Sequence, residues 1–296
     1  MEGATQHPSS SALRGILLMV AAVGIFVTMD TIAKYLSRWY PVPLIVWARY
    51  VSNLAILLAF LAARGDLRLL RTTRPGLQFA RGLLLALATL LFFTSLSVMP
   101  LADANAIGFV MPLFVAALAV PMLGERLEFA RLLAILAGLV GALIIVRPGS
   151  DIFTFYALLP LGMAACNALY QILTRKVAGL EPPLTSLVWG AIVGAVLLSA
   201  AAPFVWVSPQ ALSHGALILV VGVLASVGHF LLIRAYEFAS ATLLVPFTYT
   251  ALVWAVVLGW LVFGDFPDGW SLVGMGIISL SGLYLANRQR LTMHRR

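Results

Sequence analysis

Ten long apolar windows of about twenty residues, separated by short polar gaps, constrain this chain more than any other feature. A helix needs roughly 20 mostly apolar residues to cross the hydrocarbon core of a bilayer, whereas a lipid-facing strand alternates over about ten residues. The windows are 14–37, 43–63, 76–98, 101–123, 128–147, 152–174, 184–203, 212–237, 241–264 and 269–288. Because these runs are continuous, the sequence predicts an all-α, polytopic membrane protein with ten transmembrane helices.

Charge content supports lipid as the main solvent. Only 10% of the 296 residues are charged and 62% are hydrophobic, whereas a soluble domain carries about 25% charged residues. The net charge of +8 does not indicate nucleic acid, because the basic residues form no stripe interleaved with stacking aromatics. The sequence contains no phosphate-binding glycine loop and no cluster of His, Cys and carboxylates. We therefore expect no nucleic-acid partner, no cofactor, no metal and no direct use of ATP.

The distribution of Lys and Arg over the short loops predicts the orientation in the membrane. If the N-terminus is cytoplasmic, fifteen of these residues fall on the inner side and three on the outer side, namely Lys34, Arg38 and Arg147. An even number of spans returns the C-terminus to the same side. We therefore expect cytoplasmic tails at both ends, residues 1–13 and the basic segment 289–296.

Two similar polar turns lie 140 residues apart, "LGER" at 123–126 and "FGDF" at 263–266. The same offset sets Phe109 against Tyr249. The chain therefore divides into two five-helix repeats, 14–147 and 148–288. Because five is odd, the second repeat enters the membrane from the opposite side, which is the architecture of alternating-access carriers.

Four stretches carry a family resemblance: "VWARY" (46–50), "RGLLLALATLLFFTSLSVMPLADANAIGF" (81–109), "FVMPLFVAALAVPMLGERL" (109–127) and "VPFTYTALVWAVVLGWLVFGDFP" (245–267). They resemble the EamA family of the drug/metabolite transporter superfamily, and the resemblance covers almost the whole chain. It implies a secondary transporter of the cell inner (plasma) membrane that moves a small-molecule solute and has the lipid bilayer around it. Export of amino acids, aromatic or other neutral, and of related compounds is the first expectation.

Several alternatives stay open. Uptake of riboflavin or S-adenosylmethionine uses the same scaffold, and the driving force is the solute gradient, protons or a counter-solute. An intramembrane enzyme or sensor is an alternative of another class, although no nucleophile and base are paired at a plausible depth. We expect a transporter, not an enzyme, that works as a monomer.

Two charged residues inside the predicted spans are the first candidates for a site. Asp30 lies roughly 22 Å along the first span, and Arg49 lies roughly 9 Å from the outer face in the second, at 1.5 Å per residue. Their matched depth predicts an Asp30–Arg49 pair, with Lys34 competing for Asp30 from one helical turn away. Either the pair only ties two spans together, with Lys34 reaching the headgroups, or Asp30 changes partner or takes a proton during gating.

The remaining candidates are polar and aromatic residues deep in the spans. For Asn105, Asn167, Gln171 and His229, an interhelical hydrogen bond is the alternative to a solute contact. Pro112 and Pro246 each remove a backbone hydrogen bond and so predict hinges. Spans 3, 4, 6 and 9 line the cavity in the carriers this chain resembles, which adds aromatic residues. The predicted substrate-binding residues are Asp30, Phe93, Asn105, Phe109, Asn167, Tyr170, His229, Tyr249 and Trp254, and the predicted gating or hinge residues are Pro112, Pro246, Arg49 and Lys34.

Overall fold

A computed structural model describes residues 10–123, 129–146, 155–177, 180–239 and 241–293 of the chain. In these ranges the protein is all-helical. Parts of the predicted tails 1–13 and 289–296, the first polar turn around Glu125, and Arg147 lie outside the described residues. The α-helices are α1 (Ser10–Leu36), α2 (Val42–Arg64), α3 (Pro75–Val98), α4 (Leu101–Gly108), α5 (Met111–Leu123), α6 (Phe129–Val146), α7 (Leu158–Val177), α8 (Pro183–Ala201), α9 (Leu212–Phe238), α10 (Ala241–Thr248), α11 (Thr250–Phe263) and α12 (Gly269–Met293).

Seven helical stretches in the described ranges are long and apolar enough to cross a membrane. Three shorter apolar stretches, Leu101–Val115, Leu132–Val146 and Gly269–Tyr284, fall in the other three predicted windows. The predicted all-α, multi-pass class is therefore confirmed. The count of ten transmembrane helices stays a prediction.

Helix boundaries follow the proline and glycine signals in the sequence. α3 begins at Pro75 and α8 at Pro183, because a proline in the first helical turn has no amide hydrogen to leave unpaired. Gly65 ends α2 and Gly264 ends α11, with φ of 69° and 75°. Only glycine adopts this left-handed conformation without strain, and it gives the helix a sharp end.

Two of the predicted spans are interrupted. The chain leaves the helix between α4 and α5 at Phe109 and Val110, and between α10 and α11 at Tyr249. The sequence predicts hinges at Pro112 and Pro246, and each interruption lies within three residues of one of these prolines; their role as hinges stays a prediction. Pro112 lies in the first turn of α5 and cannot donate to the carbonyl of Gly108, the last residue of α4, so the interruption precedes it. Pro246 lies inside α10, which ends two residues later.

The helices pack closely enough to bury a polar interior. α1 packs on α9, α2 on α8 and α9, α3 on α7 and α8, and α6 on α12. A close backbone approach joins α6 to α12, where a Cβ on Gly274 would lie 2.6 Å from the carbonyl oxygen of Gly141. This packing places parts of α1, α2, α3 and α9 around one interior region, and the charged residues lie there.

Candidate functional site

Asp30 on α1 and Arg49 on α2 are both buried, with 6% and 9% of their surface exposed. Among the described residues, no hydrogen bond or ion pair reaches the Asp30 carboxylate. The predicted direct pair is therefore wrong, although Arg49 attracts Asp30 at longer range. The reason is that α3 holds the guanidinium: its Nη1 donates to Thr89 Oγ1 at 3.3 Å. The guanidinium carbon also lies 5.1 Å from the Tyr50 ring centre and 6.0 Å from that of Phe93.

Lys34 does not compete for Asp30, so that part of the prediction is also wrong. Its Nζ donates to the carbonyl oxygens of Leu96 at 3.2 Å and Met99 at 2.7 Å, and lies 3.8 Å from the Asp265 carboxylate. Carbonyls at the end of a helix have no intrahelical partner and carry the negative end of the helix dipole. They attract the ammonium more effectively than the acid one turn back. Lys34 thus ties α1 to the end of α3 and to the turn after α11.

The two interrupted spans meet at their aromatic residues. The rings of Phe109 and Tyr249 are stacked, with centres 4.7 Å apart and planes inclined by 26°. The Tyr249 hydroxyl lies over Gly282 of α12, where a Cβ would clash with it. These two predicted substrate-binding residues therefore contact each other and line the points where the helices break.

Most of the deep polar residues bond their own helix. Asn105 donates to the Leu101 carbonyl at 3.0 Å, Asn167 to the Met163 sulfur at 3.3 Å, and His229 Nδ1 lies 2.7 Å from the Ala225 carbonyl oxygen. An interhelical bond is therefore the wrong interpretation for these three. It is confirmed for the fourth, since Gln171 Nε2 lies 2.9 Å from the Met111 sulfur.

His229 and Trp254 contact α1 one to two turns before Asp30 in the sequence. The His229 ring meets Phe26 edge-on at 5.1 Å, and Arg49 acts on it electrostatically. Trp254 lies against Gly24, where a Cβ would be 3.2 Å from the indole, and much of its side chain is exposed. His229 therefore belongs to the region around Arg49, while the described contacts of Trp254 are with the backbone of α1.

Tyr170 belongs to a second polar cluster, between α3, α7 and α8. Its hydroxyl accepts from Arg81 Nη2 at 3.4 Å, and Arg81 Nε donates to Thr174 at 3.0 Å. Arg81 also donates to Gln78, which in turn donates to Glu181 at 2.6 Å. Arg81 and Gln78 are buried, so Arg81 is not only the topology signal that the loop count suggests.

Glu181 anchors this cluster outside the membrane-spanning segments. It accepts hydrogen bonds from Thr72 at 2.5 Å, from the backbone of Thr73 at 2.6 Å and from Gln78 at 2.6 Å. Partial burial works to raise its pKa, but these bonds together lower the pKa to about 2. The ionised carboxylate therefore joins the segment after α2 to the start of α8. In the described ranges, no group of His, Cys, Asp and Glu is placed to hold a metal ion.

A family model for EamA-like transporters matches the chain twice, at residues 13–147 and 154–288. The chain belongs to the EamA-like transporter family. This confirms the resemblance seen in the sequence, and it indicates a membrane transporter rather than an enzyme.

Named relatives of this EamA-like transporter carry different solutes. An S-adenosylmethionine uptake transporter of Rickettsia bellii is 30% identical over 90% of this chain and 91% of its own. A riboflavin transporter of Vibrio cholerae is 29% identical over 94% and 93% of the two chains. A pseudopaline exporter of Pseudomonas aeruginosa is 29% identical over 93% and 97%. A solved crystal structure superimposes with a TM-score of 0.64 at 19% identity, over 93% of this chain and 98% of the other, and shows the same fold.

Several interior residues of this EamA-like transporter were not predicted from the sequence as site residues. Thr89 and Tyr50 orient Arg49, and Asn53 lies one turn after Arg49 on the same face of α2 with its Oδ1 buried and unpartnered. A signal exists only for Asn53, because a buried amide about ten residues into a span lies near the bilayer midplane. Thr89 and Tyr50 give no such signal, since threonine and tyrosine are common in membrane helices.

Proposed function

We propose that this EamA-like transporter exports amino acids, aromatic or other neutral, and related compounds across the cell inner membrane by alternating access. One observation carries the proposal. Asp30 and Arg49 are an acidic and a basic side chain buried in the bundle, and among the described residues no hydrogen bond or ion pair joins them. Charged residues at membrane depth usually pair or face a solute pathway. A neutral amino acid carries one ammonium and one carboxylate, so it complements both.

Three features support alternating access between two inverted five-helix repeats, 14–147 and 148–288. The family model matches once in each half. The interruptions at Phe109 and Tyr249 are 140 residues apart, and the two rings stack on each other. Interrupted helices that meet near the midplane are the usual location of the site in carriers built from inverted repeats. The charge bias of the loops favours cytoplasmic termini.

Two polar clusters are proposed as gates. Lys34 ties α1 to the end of α3 and to Asp265, on the side that the loop charges assign to the outside. Glu181 ties the segment after α2 to Gln78 of α3, on the side assigned to the cytoplasm. In the proposed cycle each cluster opens in turn, and Asp30 exchanges its electrostatic partner or takes a proton as the solute moves.

Uptake of S-adenosylmethionine or riboflavin is the second candidate, because relatives 30% and 29% identical to this chain are named as transporters of these two solutes. S-adenosylmethionine has an amino-acid group that suits the same two charges. Riboflavin has a flat ring system, for which Phe93 and the Phe109–Tyr249 stack are the candidate contacts. A pseudopaline exporter at 29% identity shows that a relative moves its solute outward.

A flux panel in liposomes tests the proposal. The purified protein is reconstituted and offered labelled aromatic and aliphatic amino acids, riboflavin and S-adenosylmethionine, with protein-free liposomes as the control. We expect a neutral amino acid to cross and to be recovered unchanged. Everted membrane vesicles and intact cells then give the direction. Riboflavin flux without amino acid flux would replace the proposal with the second candidate, and chemical change of a solute would indicate an enzyme.

A further inference from the structure

Two buried polar atoms on α2, Arg49 Nε and Asn53 Oδ1, have no hydrogen-bond partner among the described residues. One is a donor and the other an acceptor. They lie four residues apart, so both side chains leave the same face of the helix about 6 Å apart along its axis. Asn53 has 8% of its surface exposed. Buried donors and acceptors are nearly always paired, so these two atoms call for a partner that offers one of each.

Neutral groups, not an acid, fix the orientation of Arg49. Thr89 donates its hydroxyl hydrogen to the Leu85 carbonyl at 2.9 Å, so its oxygen is left to accept from Arg49 Nη1 at 3.3 Å and from the Tyr50 hydroxyl at 3.2 Å. Gly194 makes room for the tyrosine, because a Cβ there would lie 2.3 Å from the ring. The guanidinium is thus held in place while its positive charge stays available to a ligand.

An acidic side chain lies on the facing helix. Asp30 of α1 is buried, has no hydrogen bond or ion pair among the described residues, and is attracted by Arg49 at longer range. His229 of α9, also within electrostatic reach of Arg49, is held by its bond to Ala225. A carboxylate is therefore attracted to Arg49, and an ammonium to Asn53 and Asp30.

We propose that Arg49 and Asn53 recognise the α-amino-acid group itself, whatever side chain the solute bears. Arg49 Nε donates to the α-carboxylate and Asn53 Oδ1 accepts from the α-ammonium, while Thr89 and Tyr50 are positioning residues for Arg49. This inference rests on the proposed function and names the substrate class of its site. It includes S-adenosylmethionine and excludes riboflavin, which has neither group.

Deleting each group from the ligand gives the first test. Full-length protein in liposomes transports labelled phenylalanine in competition with unlabelled phenylalanine, phenylalaninamide, which lacks the carboxylate, or 3-phenylpropionate, which lacks the ammonium. We expect each analogue to compete roughly 10-fold to 100-fold less well, since each loses a charged hydrogen bond in a buried site. Equal competition by all three would overturn the inference while leaving amino acid transport intact.

Deleting each protein group gives the second test. Asn53→Leu should lower the preference for phenylalanine over 3-phenylpropionate, leaving what Asp30 contributes, and keep the preference over phenylalaninamide. Arg49→Gln should show the reverse pattern. Ser95→Ala is the matched control, because this buried hydroxyl bonds the Phe92 carbonyl of its own helix and should leave both preferences unchanged.

The outcomes separate the inference from the function it rests on. If Asn53→Leu or Arg49→Gln weakens the binding of all three ligands equally, the residue is structural. If the variant changes the binding of none, water satisfies the buried atom. Either result would overturn the inference and leave amino acid transport intact. If Arg49→Gln does not fold, Thr89→Val should lower the preference over phenylalaninamide, and an unchanged preference counts against Arg49. Wild-type protein that transports riboflavin but no solute with an α-amino-acid group would overturn both.

Discussion

Replacing Lys34 with methionine tests which of its contacts holds the C-terminal end of α1. The Lys34 ammonium makes two hydrogen bonds to backbone carbonyls, at 3.2 Å and 2.7 Å, and a longer contact of 3.8 Å to Asp265. The lysine side chain is 12% exposed, whereas that of Asp265 is 38% exposed. Methionine keeps the length of the chain and removes these three interactions, together with the contact of Nζ with the Phe263 ring, whose centre lies 5.1 Å away.

The magnitudes favour the carbonyls. A hydrogen bond from a charged donor contributes about 1.5–3 kcal/mol, whereas an ion pair with an exposed partner contributes about 0–1 kcal/mol. Methionine also removes the cost of burying the ammonium, so we expect Lys34→Met to lower the free energy of unfolding by about 1–3 kcal/mol. Asp265→Asn keeps an acceptor and should cost less than about 1 kcal/mol.

Thermal unfolding of the purified variants in one detergent measures both effects. Arg38→Met is the matched control, because the Arg38 guanidinium lies 5.3 Å from the Phe263 ring centre at the same end of the bundle. We expect Lys34→Met to lower the unfolding temperature by several times the change in Asp265→Asn. Equal losses in these two variants would refute the reasoning and make the ion pair the main contact.

Four further predictions address topology, pathway, pH and coupling. In a background without the native cysteine, a cysteine at Asp268 should react with an impermeant reagent outside cells and one at Thr72 should not; the opposite pattern would reverse the orientation. Ala106→Trp places a large ring at a fully buried position of α4, where overpacking costs about 1–3 kcal/mol, so a variant that still folds should have a lower unfolding temperature and no flux, whereas normal flux would remove α4 from the pathway. Because the pKa of Glu181 is lowered to about 2, its stabilisation is present above the unfolded value near 4.5 and is lost as pH falls toward 2; wild type should lose more stability than Glu181→Gln over that window, and parallel losses would contradict this. Asp30→Asn should keep solute exchange and lose pH-driven accumulation, while unaltered accumulation would reject the proton role.

The helices are predictable from the sequence because their signals are local. Apolar length gives each window, and prolines or glycines such as Pro75, Pro183 and Gly264 set the ends. The interruption at Tyr249 is less predictable. Proline alone suggests position 246, but the helix continues until the chain reaches the stacked rings, and that contact depends on tertiary packing.

Partner choice in the interior could not be predicted from local rules. The spacing of Asp30 and Lys34 suggests an ion pair, but Lys34 instead donates a hydrogen bond to the carbonyl of Leu96, 62 residues away. Equal depth suggests that Arg49 meets Asp30, but Thr89, 40 residues away, orients it instead. Carbonyl oxygens and hydroxyls at helix ends and faces have no distinct sequence signature, so only the packing of α1, α2 and α3 decides between acceptors.

The three polar regions have one element in common, α3. Its 24 residues extend over about 36 Å. Gln78 near its start bonds Glu181, Thr89 near its middle bonds Arg49, and the Leu96 carbonyl near its end bonds Lys34. A rigid helix cannot shift at one end without straining its contacts at the other. In the proposed cycle, a solute that draws Arg49 away from Thr89 therefore acts on the helix that carries both gates, and this is how binding at the centre would favour opening one gate over the other.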